Sequence, residues 1–291
     1  MITRRGLLFA GAGRLSAAPP GERIVDSHVH LFLPEFAYHP NATYRPPTHP
    51  LNEYLQFVAQ APVEHVLVVH PEPYQDDHRV LGYVFRHEPS PLFFKSTCLF
   101  DPIDPRTPQR MAELSRQYPG RIVGIRIHEI HKAGTPPSTG VAIKDRDFRH
   151  PGFRNVFRQA QHLKMMVQFQ LIPCYAQPVY ELAREFPDVP IVLDHLGRAH
   201  EGTPEEVDRL MLLGKLGNVY MKYSGPYAGD AALARRAFDA FGPRQMICGS
   251  VGMNAAEYRK WSTDFDRAFG SLAAADRERL RVATAKTLFR W

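Results

Sequence analysis

The sequence has no apolar run approaching the roughly 18 to 20 residues that a membrane-spanning helix needs; its apolar stretches are short and separated by charged segments. A transmembrane protein is not expected. Cysteine is scarce: Cys98, Cys174 and Cys248 are odd in number and each lies in or beside an apolar run. They read as buried thiols rather than a disulfide framework. A dense basic tract is also missing. The formal charge is +6, but 36 Lys and Arg are scattered among 30 Asp and Glu, which argues against a nucleic-acid surface and for a mild bias toward small anionic molecules. There is no internal repeat, no interdomain linker and no glycine-rich phosphate loop after the first strand. A chain of 291 residues that is 44% hydrophobic can build one large core, so a single domain is expected.

The first residues stand apart. Thr3-Arg4-Arg5-Gly6-Leu7-Leu8-Phe9 resembles a twin-arginine export signal, followed by a short apolar stretch and the small residues Ser16-Ala17-Ala18. The expectation is a signal segment over residues 1–20 with cleavage after Ala18 and a periplasmic or exported protein; without a functioning signal the protein is cytoplasmic. The folded domain then spans 21–291.

What the sequence does contain is a regular alternation of short apolar runs with longer segments of helical period, the pattern of a parallel α/β protein. Eight runs are expected as strands: Ile24–His30, His65–His70, Leu92–Phe100, Ile122–Ile130, Met165–Leu171, Pro190–His195, Asn218–Ser224 and Gln245–Ser250. Helix starts between them include Thr107-Pro108, read as a cap followed by proline, and Thr203-Pro204-Glu205-Glu206, read as a capping box. Eight strand–helix units in about 270 residues predict a closed (β/α)8 barrel, an α/β fold, rather than an open doubly wound sheet. The polar segments 32–50 and 132–149 then follow strands one and four, at the end where barrel enzymes bind substrates.

Asp26, His28 and His30 are spaced by two, so on a strand they share a face, and in a barrel that face is the interior. Two imidazoles at the mouth can hold a divalent metal or exchange a proton near pH 7. The same parity puts Arg126 and His128 together on strand four. An inward guanidinium suits an anionic or oxygen-rich substrate.

The stretch Ile24-Val25-Asp26-Ser27-His28-Val29-His30-Leu31-Phe32 resembles the opening strand of the amidohydrolase-related (amidohydrolase 2) family of barrel hydrolases. The strand ends that follow resemble the family in order: Val68-Val69-His70-Pro71-Glu72-Pro73-Tyr74 with Asp77, Val123-Gly124-Ile125-Arg126, Val192-Leu193-Asp194-His195-Leu196-Gly197 and Val219-Tyr220-Met221-Lys222-Tyr223-Ser224-Gly225. The similarity is closest to the branch of sugar-lactone and 2-pyrone-4,6-dicarboxylate lactonases. It implies a lactonase-like hydrolase of a small carboxylate- or hydroxyl-bearing cyclic ester. His28, His30, His195, Arg126 and His128 are the implied catalytic residues, and Arg126, Tyr74 and Tyr223 the implied substrate contacts. His28, His30 and His195 would hold a divalent metal, zinc, if one is bound. His70, Glu72 and Lys222 are further candidates at strand ends. The expected partner is a small molecule, with a homo-oligomer left open.

Two departures weigh on this reading. Strand five carries Gln168 and Gln170 where the wider superfamily has a metal-binding histidine. Strand eight reads Cys248-Gly249-Ser250-Val251 where family members end Gly-Ser-Asp, the aspartate acting as general base or metal ligand. A positioned base is worth about 10²–10⁴ in rate, so Val251 raises two alternatives: a metal-dependent decarboxylase of a small aromatic acid, and a catalytically impaired barrel that only binds.

Overall fold

The computed structural model describes residues 23–129, 147–225 and 229–291. The signal-like segment and most of the segment 132–149 lie outside the described residues. Eight parallel strands follow one another around the barrel in sequence order: β1 (Ile24–Val29), β2 (Val63–Val69), β3 (Phe94–Leu99), β4 (Ile122–Glu129), β5 (Met166–Leu171), β6 (Ile191–Leu193), β7 (Val219–Ser224) and β8 (Met246–Gly249). All eight expected runs are strands, and the (β/α)8 fold is the one observed. Each strand is followed by a helix: α1 (Leu51–Val58), α2 (Arg79–Arg86), α3 (Thr107–Gln117), α4 (Pro151–Leu163), α5 (Ala176–Glu185), α6 (Pro204–Leu212), α7 (Ala231–Phe241) and α8 (Ala255–Phe269), with α9 (Ala274–Glu278) and α10 (Thr284–Phe289) completing the chain. No helix among the described residues is long and apolar enough to cross a membrane.

The helix starts divide. At α6 both hydrogen bonds of the capping box form between Thr203 and Glu206. At α3 the expectation needs correction: Thr107 is the first helical residue and Arg106 precedes it. The Thr107 hydroxyl donates instead to the Asp101 carbonyl at 2.6 Å, tying the helix start back to the preceding loop. Of the three cysteines, Cys98 and Cys248 are buried and Cys174 is half-buried.

The main core lies between sheet and helices, where Phe94, Phe153, Phe157, Phe169, Phe265 and Phe269 are fully buried. A second apolar cluster, with Val25, Leu67, Met166, Val192, Ile247 and Phe289, fills the amino-terminal end of the barrel. There Lys95 Nζ donates to the carbonyls of Phe289 and Arg290 at 2.9 and 2.8 Å, satisfying acceptors that the end of α10 leaves open.

The seam between β8 and β1 decides where the first histidines point. Val251 N donates to His28 O at 3.0 Å, Ser250 N donates to Asp26 Oδ1 at 2.9 Å, and the Ser250 hydroxyl donates to the other Asp26 oxygen. The pairing of β1 with β2 slips between Asp26 and Val29. That irregularity overturns the strict alternation expected for Asp26, His28 and His30: Asp26 commits its carboxylate to the seam, while the two imidazoles enter the barrel. Gly249 makes the close approach feasible. A methyl group on it would lie 2.5 Å from His28 Cβ and 2.8 Å from His28 N, so Gly249→Ala must spread the seam. The expected cost is about 1–3 kcal/mol in urea unfolding, and an unchanged midpoint would contradict the contact.

Candidate active site

Five strands contribute side chains to the carboxyl end of the barrel. His28 Nε2 and His30 Nε2 are 3.2 Å apart. The rings of His28 and His195 approach to 4.5 Å between centroids. Asp194, in the turn after β6, lies at the centre of the charges: Lys222 Nζ is 3.0 Å and His28 Nδ1 3.4 Å from its Oδ1, and Arg126 Nε is 3.2 Å from its Oδ2. Gln168 Nε2 donates to both carboxylate oxygens at 2.9 Å. Lys222 Nζ also donates to Ser27 O at 2.9 Å, which ties β7 to β1. Sequence alone assigns Asp194 no role. Its signal was there, a carboxylate beside a histidine at a strand end.

Arg126 is 2% exposed and donates through Nη2 to Gln170 Oε1 at 2.6 Å. The glutamines of β5 therefore orient the guanidinium and its counter-ion, a use that their place in sequence did not disclose. Nη1 makes no hydrogen bond among the described residues. His128 shares the inward face of β4 with Arg126, and its buried Nε2 has no hydrogen-bond partner.

His195 is held by unusual backbone. His195, Leu196, Gly197 and Arg198 all have positive φ, from 49° to 60°, a left-handed turn that costs about 1–2 kcal/mol for each residue with a side chain. Its Nδ1 lies 3.0 Å from Ser224 Oγ. Gly225, at φ 73°, passes so close that an added methyl would meet that nitrogen at 2.5 Å. The seat of the imidazole thus depends on a residue without a side chain at the end of β7.

Two implied substrate contacts do not reach the barrel interior. Tyr223 is fully buried but packs outward on Phe269, Phe265 and Trp261 at 4.9, 6.0 and 6.4 Å; Lys222 and Ser224 take the inward positions on either side of it, as strand alternation requires. Tyr74 is 1% exposed, and its hydroxyl accepts from Leu33 N at 2.8 Å, holding the loop that follows β1. Glu72 is also engaged: Gln75 Nε2 donates to it at 2.5 Å and Thr43 N lies 3.3 Å from each carboxylate oxygen. His70 Nε2 is 3.0 Å from Gln75 O. These residues organise the β2 loop.

Burial sets the protonation of the imidazoles. It pulls His30 down to about 3, with the Arg126 charge acting in the same direction, and His195 to about 4 against the opposing pull of Asp194. Burial likewise lowers His28 and His128 well below the usual histidine value. All four are neutral at pH 7. Burial would raise Asp194, but the Lys222 ammonium, then His28 and Arg126, hold it ionised and well below the usual carboxylate range. Asp26, by contrast, is raised to about 6 by burial, against the hydrogen bonds from Ser250.

Neutral imidazoles raise the question of a metal. His30 Nδ1 is 2.8 Å from Val69 O and must carry the proton there, so His30 Nε2 presents a lone pair. If His28 Nδ1 bears its proton toward Asp194, two lone pairs face each other across 3.2 Å. With the proton on Nε2 instead, the buried Nδ1, which has no well-aligned hydrogen bond, turns a lone pair toward a carboxylate. A cation between the imidazoles relieves the first arrangement, and the second nitrogen of each ring then has the outer partner that metal-bound histidines favour. The donor set fits a divalent metal in this respect. The three groups whose ligand atoms all lie within 4.8 Å of one another are His28, Asp194 and His195; this corrects the expected set of His28, His30 and His195, since His30 falls outside the group and Asp194 stands in its place.

Known structures share this architecture. A probable 2-pyrone-4,6-dicarboxylic acid hydrolase from Acinetobacter baumannii, with citric acid bound, matches 92% of this chain and 100% of its own at 18% identity, with a TM-score of 0.74. An amidohydrolase from Burkholderia multivorans with bound zinc matches 92% and 99% at 18% identity, TM-score 0.71. A 2,6-dihydroxybenzoate decarboxylase from Rhizobium matches 92% and 99% at 16% identity, TM-score 0.63. At such identities the likeness is one of fold. Among curated proteins none matches the sequence. The amidohydrolase family model, however, matches residues 25–291, and on that match the chain belongs to the amidohydrolase family.

Proposed function

We propose that the protein is a lactonase-like hydrolase acting on a small cyclic ester that carries a carboxylate. The observation that carries this reading is the meeting of neutral His28, His30 and His195 with the Arg126 guanidinium at the carboxyl ends of the strands. Arg126 would receive the substrate carboxylate or carbonyl through Nη1, while Asp194 and Gln170 fix the plane of the fork. His128 would serve as the base: its buried Nε2 has no hydrogen-bond partner among the described residues and can accept the proton of the attacking water, although burial and the Arg126 charge make it a weak one. Asp194 is not available for that role, since Lys222, Arg126 and Gln168 occupy both its oxygens. His28, His195 and Asp194 would hold a zinc ion, with His30 Nε2 facing His28 beside them. When bound, such an ion polarises the carbonyl and lowers the pKa of water.

A second reading, decarboxylation of a small aromatic acid, is favoured by Val251, because that chemistry does not require a strand-eight base to activate water. The deciding experiment is metal analysis of the purified protein together with turnover of a panel of lactones and aromatic carboxylic acids. Lactone opening that is lost in both His28→Ala and His128→Ala supports the hydrolase. Carbon dioxide release from aromatic acids without lactone opening supports the decarboxylase. Binding without turnover of either class overturns both.

A further inference from the structure

Outside the barrel, between its first and last outer helices, the structure holds a cavity of about 700 Å³. It runs along α1 and α8, and none of the barrel-mouth residues lines it. Its lining includes the apolar Phe57, Pro62 and Tyr258; the rings of Phe57 and Tyr258 meet at 6.0 Å. It also includes Arg259, Arg277 and Arg281, with Asp266 as the sole carboxylate among the lining residues. The concavity therefore combines aromatic surface with positive charge.

Arg281 gives the site its structure. It is 5% exposed, its guanidinium lies 4.3 Å from the Phe265 ring and 5.7 Å from Trp261, and Asp266 approaches it at 3.5 Å. Stacking on rings fixes the plane of the guanidinium and directs its N–H edge sideways. The backbone there is irregular too: Arg279–Ala283, between α9 and α10, form a π turn, a wide turn frequent at functional sites. Arg277 is tethered by hydrogen bonds from Nη1 to the carbonyls of Gly270 and Leu272 at 2.6 and 3.3 Å. Two of the three cations are thus held in place before any ligand arrives.

We infer that this cavity binds a small aromatic carboxylate, the carboxylate on Arg281 and Arg259 and the ring against Phe57, Tyr258 and Pro62. A bare inorganic anion would satisfy the arginines but leave the apolar surface wet, so the ligand needs both parts. The inference does not depend on the chemistry assigned to the barrel mouth.

The chain has two tryptophans, and only Trp261 stands beside Arg281, so the two indole N–H resonances of the full-length, ¹⁵N-labelled protein report separately on this site and on Trp291. Titration with benzoate is expected to shift the Trp261 resonance saturably and leave that of Trp291 in place. Arg281→Met, which keeps an apolar chain over Phe265, should weaken binding about tenfold or more, the loss of one charge-assisted pair. Arg259→Gln, at an exposed position with no role in packing, should weaken it by about threefold and guards against misfolding of the first variant. A Trp261 resonance that ignores benzoate overturns the proposal. So do equal affinities in the wild type and both variants, or inorganic phosphate binding as tightly as benzoate.

Discussion

Replacing Asp194 with Ala is expected to destabilise the protein by about 3–5 kcal/mol and to abolish turnover. The carboxylate is fully buried and in contact with two fully or nearly fully buried cations, Lys222 at 3.0 Å and Arg126 at 3.2 Å. Removing it leaves both charges in the barrel without their shared counter-ion, the circumstance in which a broken buried pair is most costly. Gln168 loses its acceptor at the same time. Lys222→Met in the Asp194→Ala background removes one orphaned charge and should recover part of the loss without restoring activity. A single Asp194→Ala variant with the unfolding midpoint of the parent would show that the cluster is not a unit.

Val251→Asp is expected to raise lactone hydrolysis by about two orders of magnitude, the low end of what a positioned base contributes. The backbone favours the change. Val251 sits at φ 56°, in the left-handed region that a β-branched residue occupies only under strain and that Asp tolerates better. Its amide is pinned to His28 O at 3.0 Å, which sets the position next to the histidine pair. The variant should therefore gain activity without losing stability, and the two measurements separate the arguments. Higher stability with unchanged kcat would mean that the strain is relieved but that the new carboxylate does not reach the attacking water. A loss of stability would mean that the new carboxylate cannot be accommodated beside a buried Asp26.

The strands were legible in the sequence because each is a short apolar run bounded by polar turns, and eight of them leave few architectures. The histidines were legible for the same reason, since alternation along a strand needs no tertiary information. Alternation failed where the backbone departs from it. Asp26 lies at an irregularity of β1 that only the pairing with its neighbours creates. Tyr223 is a candidate in the sequence because it stands at a strand end, yet parity with Lys222 sends it to the helix layer. Tyr74 and Glu72 stand at a strand end, where the chain turns and alternation no longer assigns a face; both are taken up by loop contacts made across about 30 to 40 residues. Asp194 was overlooked because a carboxylate beside a histidine says little alone, and its importance comes from Arg126, Lys222 and Gln168 on three other strands.

The hydrogen bond from Lys222 to Ser27 O spans 195 residues of chain, and this bears on the order in which the molecule assembles. Until β7 is in place and Lys222 reaches across to β1, the interior of a partial barrel holds an aspartate and an arginine with neither the ammonium nor the completed wall that makes them tolerable there. Half-barrels are thus poor resting places on the way to the native state, and the polar cluster acts as a latch that rewards only the complete circuit. Folding should be slow, as long-range closure requires, with the charged cluster among the last parts to lock.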